Sequence, residues 1–359
     1  QVRSHSVWNA ITQGWVRHLD RARFDVSIFQ LERGSDDETA RARRDAQRFI
    51  DAPTTLQSWA QAIADAQLDV LIYPEIGMHP LTTRLAATRL APVQAAAWGH
   101  PMTTGLPTLD LYLSAQALEP PEAGAHYSER LVALPGLGVC VQPLRPIAVA
   151  PDLASLGLAA DEPLLLCPGT PFKYQPTSDA VWAALAARLQ ARGGGRLVFF
   201  RSHRAGMSAQ VEHRMRRAFA AAGVDYGRTV AWIPALDRER FFGLMRRATL
   251  MLDTIGFSGI NTALQGLECD LPVVAFEGEF MRGRLASGPL RLLGLDELVA
   301  TSPAEFVDIA MRLIDDDARR AHLKREIGHR RSRLFDDLAP VRALEDVLIA
   351  AAQAKATPG

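Results

Sequence analysis

Short apolar runs alternate with helix-patterned segments along almost the whole chain, and the alternation occurs in two sets. The first set of runs is "FDVSIFQL", "LDVLIYP", "APVQAAAW", "LDLYLSA" and "RLVALP", with helical patterns such as "TLQSWAQAIADA" and "PLTTRLAATRL" among them. The second is "LLLCPG", "RLVFFRS", "TVAWIP", "LMLDT" and "LPVVAFEG", with helices expected over 177–192, 207–222, 237–247 and from 260. Such alternation predicts βαβ units, because parallel neighbours need a crossover that a hairpin cannot supply. A proline- and glycine-rich stretch, 136–162, separates the two sets. We therefore expect an α/β protein of two doubly wound domains. The boundaries expected are residues 1–145, a linker at 146–162, and 163–359 with helices from Ala304 onward. Ligands in such sheets sit beyond the carboxyl ends of the strands, an edge expected to face a shared cleft.

Composition excludes several classes of function. The 359 residues carry 40 basic and 40 acidic side chains, so no large field draws nucleic acid or an anionic membrane. Three cysteines, Cys140, Cys167 and Cys269, lie far apart, which argues against a disulfide framework and fits a reducing, cytoplasmic setting. The charge-free run Leu90 to Leu109 contains prolines, glycines and polar residues and is no membrane span. There is no G-x-x-x-x-G-K-[ST] and no strand-linked G-x-G-x-x-G, which disfavours a P-loop enzyme and a standard dinucleotide fold. "DDD" at 315–317 contains a formal D-x-D metal clamp but reads as a solvated helix terminus. Near the start, Val7, Ile11, Trp15 and Leu19 form an amphipathic stripe ahead of "FDVSIFQL". An α/β domain that opens on a helix leads us to expect its first strand upstream of residue 1.

Three segments carry chemistry. In "CPGTPFKYQP", residues 167–176, a strand ends and a loop presents Gly169, Thr170 and Lys173 before Pro176 opens a helix. A lysine and a hydroxyl beside a helix N-terminus suit an anion. In "LDTIGFSGINTALQGLECDLPVVAFEGE", residues 252–279, Ser258, Gly259, Asn261 and Thr262 lie where a helix begins, so amides and side chains there suit a diphosphate. The next strand ends in Glu277, Gly278 and Glu279, and a carboxylate at such a position suits ribose hydroxyls. The third segment is "YPEIGMHPLTTRLAATRLAPVQAAAWGHPMTTG": Glu75 and His79 follow one strand, and His100, Thr103 and Thr104 the next. Arg201, closing "RLVFFRS", is counted with the donor-binding side chains.

Taken in order, these segments resemble glycosyltransferase family 41, which contains protein O-GlcNAc transferases and bacterial N-glycosyltransferases acting on adhesins. "RLAPVQAAAWGHPMTTG" resembles the family's R-x-A-P-x-Q segment and its G-[YH]-P-x-[TS]-[ST] loop, and "HYSERLVALP" its Y-S-E segment. "TPFKYQP" is similar to its lysine loop, and "EGEFMRGRLASGPLRLLGL" to a segment with a Gly-Glu pair, an arginine and a following Gly-Leu.

The resemblance implies a GT-B fold, in which two Rossmann-like domains hold a nucleotide sugar, expected to be a UDP-sugar. It implies no metal and no other cofactor. Lys173 falls on the lysine that contacts the donor diphosphate, and His5 falls in a loop that supplies an active-site histidine in many members. His5, Glu75, His100 and Lys173 are thus the expected catalytic set. Thr103, Thr104, Thr170, Arg201, Ser258, Gly259, Asn261, Thr262, Gln265 and Glu279 are expected to join Lys173 in holding the donor. The expected partners are a protein or peptide acceptor and an upstream helical-repeat domain, with neither nucleic acid nor membrane. Two places depart from the O-GlcNAc transferases: Ile260, Asn261 and Thr262 stand where those enzymes carry H-T-T, and Gln265 replaces an aspartate for the ribose. Asn261 agrees better with the N-glycosyltransferase branch. Whether serine/threonine or asparagine is modified, and whether GlcNAc or a hexose is moved, stays open, as do a small-molecule or lipid acceptor and a non-catalytic binding module.

Overall fold

The apolar runs become parallel strands. The computed structural model describes residue 2 and residues 7–32, 34–202, 204 and 206–356. They divide into two units: Gln1–Gln142 with Leu334–Gly359, and Pro143–Arg333. In the first unit, β1 (Ser27–Phe29) and β2 (Arg48–Ile50) form a separate parallel pair. A four-stranded parallel sheet runs β3 (Val70–Tyr73), β4 (Val93–Ala97), β5 (Leu111–Ala115) and β6 (Arg130–Leu134), in that order. Every residue of β4 and β5 is buried, which is why these strands read as continuous small or apolar runs rather than alternating ones. The stripe Val7, Ile11, Trp15 and Leu19 is buried as expected, but Trp8–Thr12 winds as a π-helix before the α-helix Gln13–His18.

The second unit has six parallel strands. They are β7 (Leu164–Cys167), β8 (Arg196–Phe200), β9 (Val230–Ile233), β10 (Leu250–Leu252), β11 (Val273–Phe276) and β12 (Val299–Ala300). Their order across the sheet is β12-β11-β10-β7-β8-β9. From β7 the chain builds outward to β8 and β9, then returns to the other side of β7 with β10. The point where the winding reverses therefore lies between β7 and β10, the position at which open α/β sheets bind ligands.

The expected domain limits need correction at both ends. Residues 143–162 are not a free linker. The amides of Leu144 and Arg145 donate to the Glu268 carboxylate at 3.1 and 2.6 Å, and the Val149 amide donates to the Glu239 carbonyl at 3.0 Å. The helix Ala339–Ala356 belongs to the first unit, not the second. It buries Val341, Leu344 and Leu348, and its buried Glu345 accepts the Asp20 amide at 2.8 Å. A helix's apolar stripe says that it packs, not on which domain. "DDD" is a helix boundary, as read: Asp315 ends one helix, and Asp316 caps the next by accepting the Arg319 amide at 2.8 Å. Among the described residues no helix is long and apolar enough to cross a membrane.

Candidate active site

The site of the second unit is built from the loops that follow β7 and β10. The first loop is held by Tyr174. Its buried hydroxyl donates to the Cys167 carbonyl at 2.7 Å and accepts the Gly169 amide at 3.1 Å, closing the turn on itself. Gly169 is required there, since a Cβ would stand 2.4 Å from Thr254 Oγ1. A short 3-10 turn, Pro171–Lys173, then carries Lys173 toward the second loop. Its Nζ donates to the Ser258 carbonyl at 2.7 Å and lies 4.6 Å from the centre of the Phe257 ring. Burial lowers the Lys173 pKa below the usual lysine value, and Asp253 opposes that shift.

The second loop turns around Asp253, which sequence reasoning missed. This carboxylate follows β10 directly and is buried. It accepts the Ser258 hydroxyl at 2.5 Å and the Gly259 amide at 3.0 Å. Burial raises its pKa, while Ser258, the Thr254 amide, Lys173 and the Gly259 amide pull it back. The signal was present in "LMLDT": an acidic residue closing a fully buried strand needs internal donors.

Beyond Gly259 the helix Ile260–Glu268 begins. Its first intrahelical donor is the Ala263 amide, bonded to the Gly259 carbonyl at 3.0 Å. The amides of Ile260, Asn261 and Thr262 are therefore free of helix partners and available to an anion. Asn261 and Gln265 lie one turn apart and half-buried, and neither side-chain amide has a hydrogen-bond partner among the described residues. Thr170 is exposed at the head of the lysine turn.

Several expected donor ligands have other work. Ser258 is fully buried, and its hydroxyl also accepts the Ala286 amide at 2.8 Å, so it braces the loop. The Gly259 amide is taken by Asp253. The Thr262 hydroxyl donates to the Gly259 carbonyl at 3.1 Å. Arg201 lies beyond β8, where it pairs with Glu212 at 3.3 Å and packs near the Trp232 ring. Glu279 is exposed. Its neighbour Glu277 is held by Arg284 at 3.0 Å and Arg291 at 2.8 Å. Burial pushes the Glu277 carboxyl up, and these arginines more than offset it.

In the first unit, the loops after β3 and β4 touch. A Cβ on Gly99 would stand 2.1 Å from the Pro74 carbonyl oxygen, and one on Gly77 would stand 2.8 Å from His100 Cδ2. Glu75 is buried between these contacts in sequence. The His100 carbonyl accepts from the Met102 amide at 2.8 Å and from Tyr112 Oη at 2.9 Å. Burial lowers the imidazole pKa. The Thr103 and Thr104 hydroxyls are engaged within the protein. Both donate to the buried Glu129 carboxylate, Thr103 at 2.8 Å, and the Thr104 amide joins them at 2.8 Å. Glu129 was quoted within "HYSERLVALP" without a role; the structure makes it the anchor of the loop. His79 caps the helix Pro80–Ala86, its Nδ1 accepting the Leu81 amide at 3.2 Å. His5 lies outside the described residues.

Comparison with known proteins bears on this arrangement. Residues 204–342 match the sequence profile of Glycosyl transferase family 41. The chain is 27% identical, over 79% of its length, to a "Probable UDP-N-acetylglucosamine--peptide N-acetylglucosaminyltransferase SPINDLY" of Solanum lycopersicum. It is 27% identical, over 72% of its length, to the "UDP-glucose:protein N-beta-glucosyltransferase" of Actinobacillus pleuropneumoniae serotype 7. It spans only 30% of the first relative and 40% of the second. Among solved structures, a point mutant of Thermobaculum terrenum O-GlcNAc transferase superposes with a TM-score of 0.84 at 26% identity, covering 99% of this chain and 67% of that one. A glycosyltransferase from Rickettsia africae shares the fold alone, with a TM-score of 0.58 at 9% identity. Two parallel α/β units of this kind make a GT-B fold, and the profile match, both sets of relatives and the superposition over nearly all of this chain all show its similarity to glycosyltransferase family 41.

Proposed function

We propose that this chain is the catalytic part of an inverting, metal-independent glycosyltransferase. It moves GlcNAc or a hexose from a UDP-sugar to a protein side chain. The observation that carries this reading is Lys173 beside the free amides of Ile260, Asn261 and Thr262, at the reversal point of the second sheet. When the sugar leaves, negative charge grows on the departing diphosphate. A fixed ammonium and preoriented amides stabilise that charge without reorganising, the part a metal plays in other enzymes. Thr170 and Asn261 add donors at the same edge, and Gln265 lies one turn further along the helix. In the first unit, the neutral imidazole of His100 is suited to take the acceptor's proton, with Glu75 on the neighbouring loop. The names of the relatives support UDP and a protein acceptor.

The test is calorimetric titration with UDP, UDP-GlcNAc and UDP-glucose, followed by transfer assays on Ser/Thr and Asn peptides in excess EDTA. Binding of a UDP-sugar and EDTA-resistant peptide modification are expected. A strict need for magnesium or manganese, or transfer only to lipid or free sugar, would overturn this reading.

A further inference from the structure

Asp253 and Lys173 crowd the same glycine. A Cβ on Gly259 would stand 3.7 Å from Lys173 Nζ and 3.9 Å from Asp253 Oδ1. The two charges make no direct ion pair, because the backbone of Ser258 and Gly259 runs between their bonds. Lys173 holds the Ser258 carbonyl, while Asp253 holds the Ser258 hydroxyl and the Gly259 amide. One dipeptide is thus gripped by a cation and an anion at once. Other charged side chains of this unit have contacts of their own among the described residues. Arg214 pairs with Asp179 at 2.6 Å, Arg284 pairs with Glu277 at 3.0 Å, and Arg282 lies over the Phe280 ring. The neighbouring Tyr174 hydroxyl is spent on Cys167 and Gly169.

From this arrangement we propose that Asp253 is a positioning residue of the donor site, a built-in counter-charge that keeps the half-buried Lys173 protonated and ready for a diphosphate. The proposal rests on reading Lys173 as the diphosphate ligand. Without a nearby anion, burial alone would drive the ammonium toward its neutral form. A neutral amine neither attracts a diphosphate nor stabilises its departure. The anion must also stay off the lysine itself, or it would compete with the substrate. Routing the interaction through Ser258 and Gly259 achieves that separation.

The chain has three lysines, Lys173, Lys324 and Lys355, so Lys173 can be watched directly by NMR with ε-carbon-labelled lysine, its signal identified by loss in Lys173→Arg. Asp253→Asn keeps an acceptor for the Gly259 amide but removes the charge. Lys173 is expected to titrate at lower pH in Asp253→Asn than in wild type, and the alkaline limit of UDP binding is expected to move the same way. A Lys173 midpoint unchanged in a folded Asp253→Asn would overturn the proposal, as would weaker UDP binding at all pH values with no shift of the limit. Asp253→Ser is the second variant; failure of both to fold would assign the carboxylate to the fold and overturn the proposal. Should the lysine shift appear while wild type binds no UDP, the counter-charge stands and the nucleotide-sugar reading fails.

Discussion

Lys173 donates to the carbonyl of Ser258 across 2.7 Å, and this single bond ties the loop after β7 to the loop after β10. An ammonium has three protons, so others remain for a ligand. Lys173→Ala should lower transfer by about a hundredfold or more, the usual cost of losing one preorganised donor to a developing anion. Stability should fall by only about 1 kcal/mol, the net worth of one hydrogen bond. Because burial lowers the lysine's pKa, donor binding should weaken with rising pH before the ordinary lysine range is reached. Wild-type turnover in Lys173→Ala would remove this residue from the site.

Gly99 offers a test that is independent of chemistry. Its missing Cβ is what lets the loop after β4 sit against the Pro74 carbonyl, only 2.1 Å from where that carbon would be. The obstacle is backbone, which cannot swing away as a side-chain tip can. Gly99→Ala should cost about 3 kcal/mol in urea denaturation, at the upper end of overpacking penalties. A loss below about 0.5 kcal/mol, typical of an unconstrained surface site, would mean that the two loops separate readily.

How much of this was legible depended on the kind of information needed. Strands such as "LLLCPG" and "APVQAAAW" were readable because parallel strands buried on both faces must be continuously apolar. The lysine loop and the helix start at Gly259 were readable from punctuation by glycine, proline and hydroxyl residues. The destinations of hydroxyls were not. Thr103, Thr104 and Ser258 have the residue types of ligands, yet Glu129 holds the first two from 26 and 25 residues away in sequence and Asp253 holds the third from 5. Hydroxyls serve equally well in loops and in binding sites, and only tertiary placement decides between the two. Three-residue strands such as β1, β2 and β10 are too short for periodicity to define. The attachment of Ala339–Ala356 to the first unit rests on tertiary contacts, among them Glu345 with the Asp20 amide, a pairing that no local pattern announces.

Glu129 should make the first unit sensitive to acid. Burial pushes its carboxyl up, but hydrogen bonds from Thr104 and Thr103 more than offset this and leave it below its ordinary value of 4.5. A carboxyl with a depressed folded-state pKa contributes stability above the unfolded value and loses it as pH falls through the folded value. Glu129→Gln should therefore lower stability by about 1–3 kcal/mol at neutral pH, the cost of disrupting a charged, buried hydrogen-bond set. It should also flatten the decline in melting temperature below pH 4.5. An unchanged acid limb would assign that decline to other carboxylates.

His100 is the residue whose role the geometry narrows most. The turn it occupies is held by its carbonyl, which accepts from Met102 and Tyr112, and not by its ring. Among the described residues the imidazole nitrogens have no hydrogen-bond partner, although the ring packs tightly on Gly77, 2.8 Å from where a Cβ would be. A structural histidine would be expected to bond its own turn. Burial lowers its pKa below 6.5, so the ring is neutral at neutral pH and able to accept a proton. His100→Ala should reduce turnover at least tenfold, about 1.4 kcal/mol of transition-state stabilisation. The melting temperature should change little, since the carbonyl bonds survive the substitution. The wild-type rate should fall on the acid side with a midpoint below 6.5, and that limb should vanish in His100→Ala. Normal specific activity in a destabilised His100→Ala would instead make the ring a packing element of the Gly77 loop.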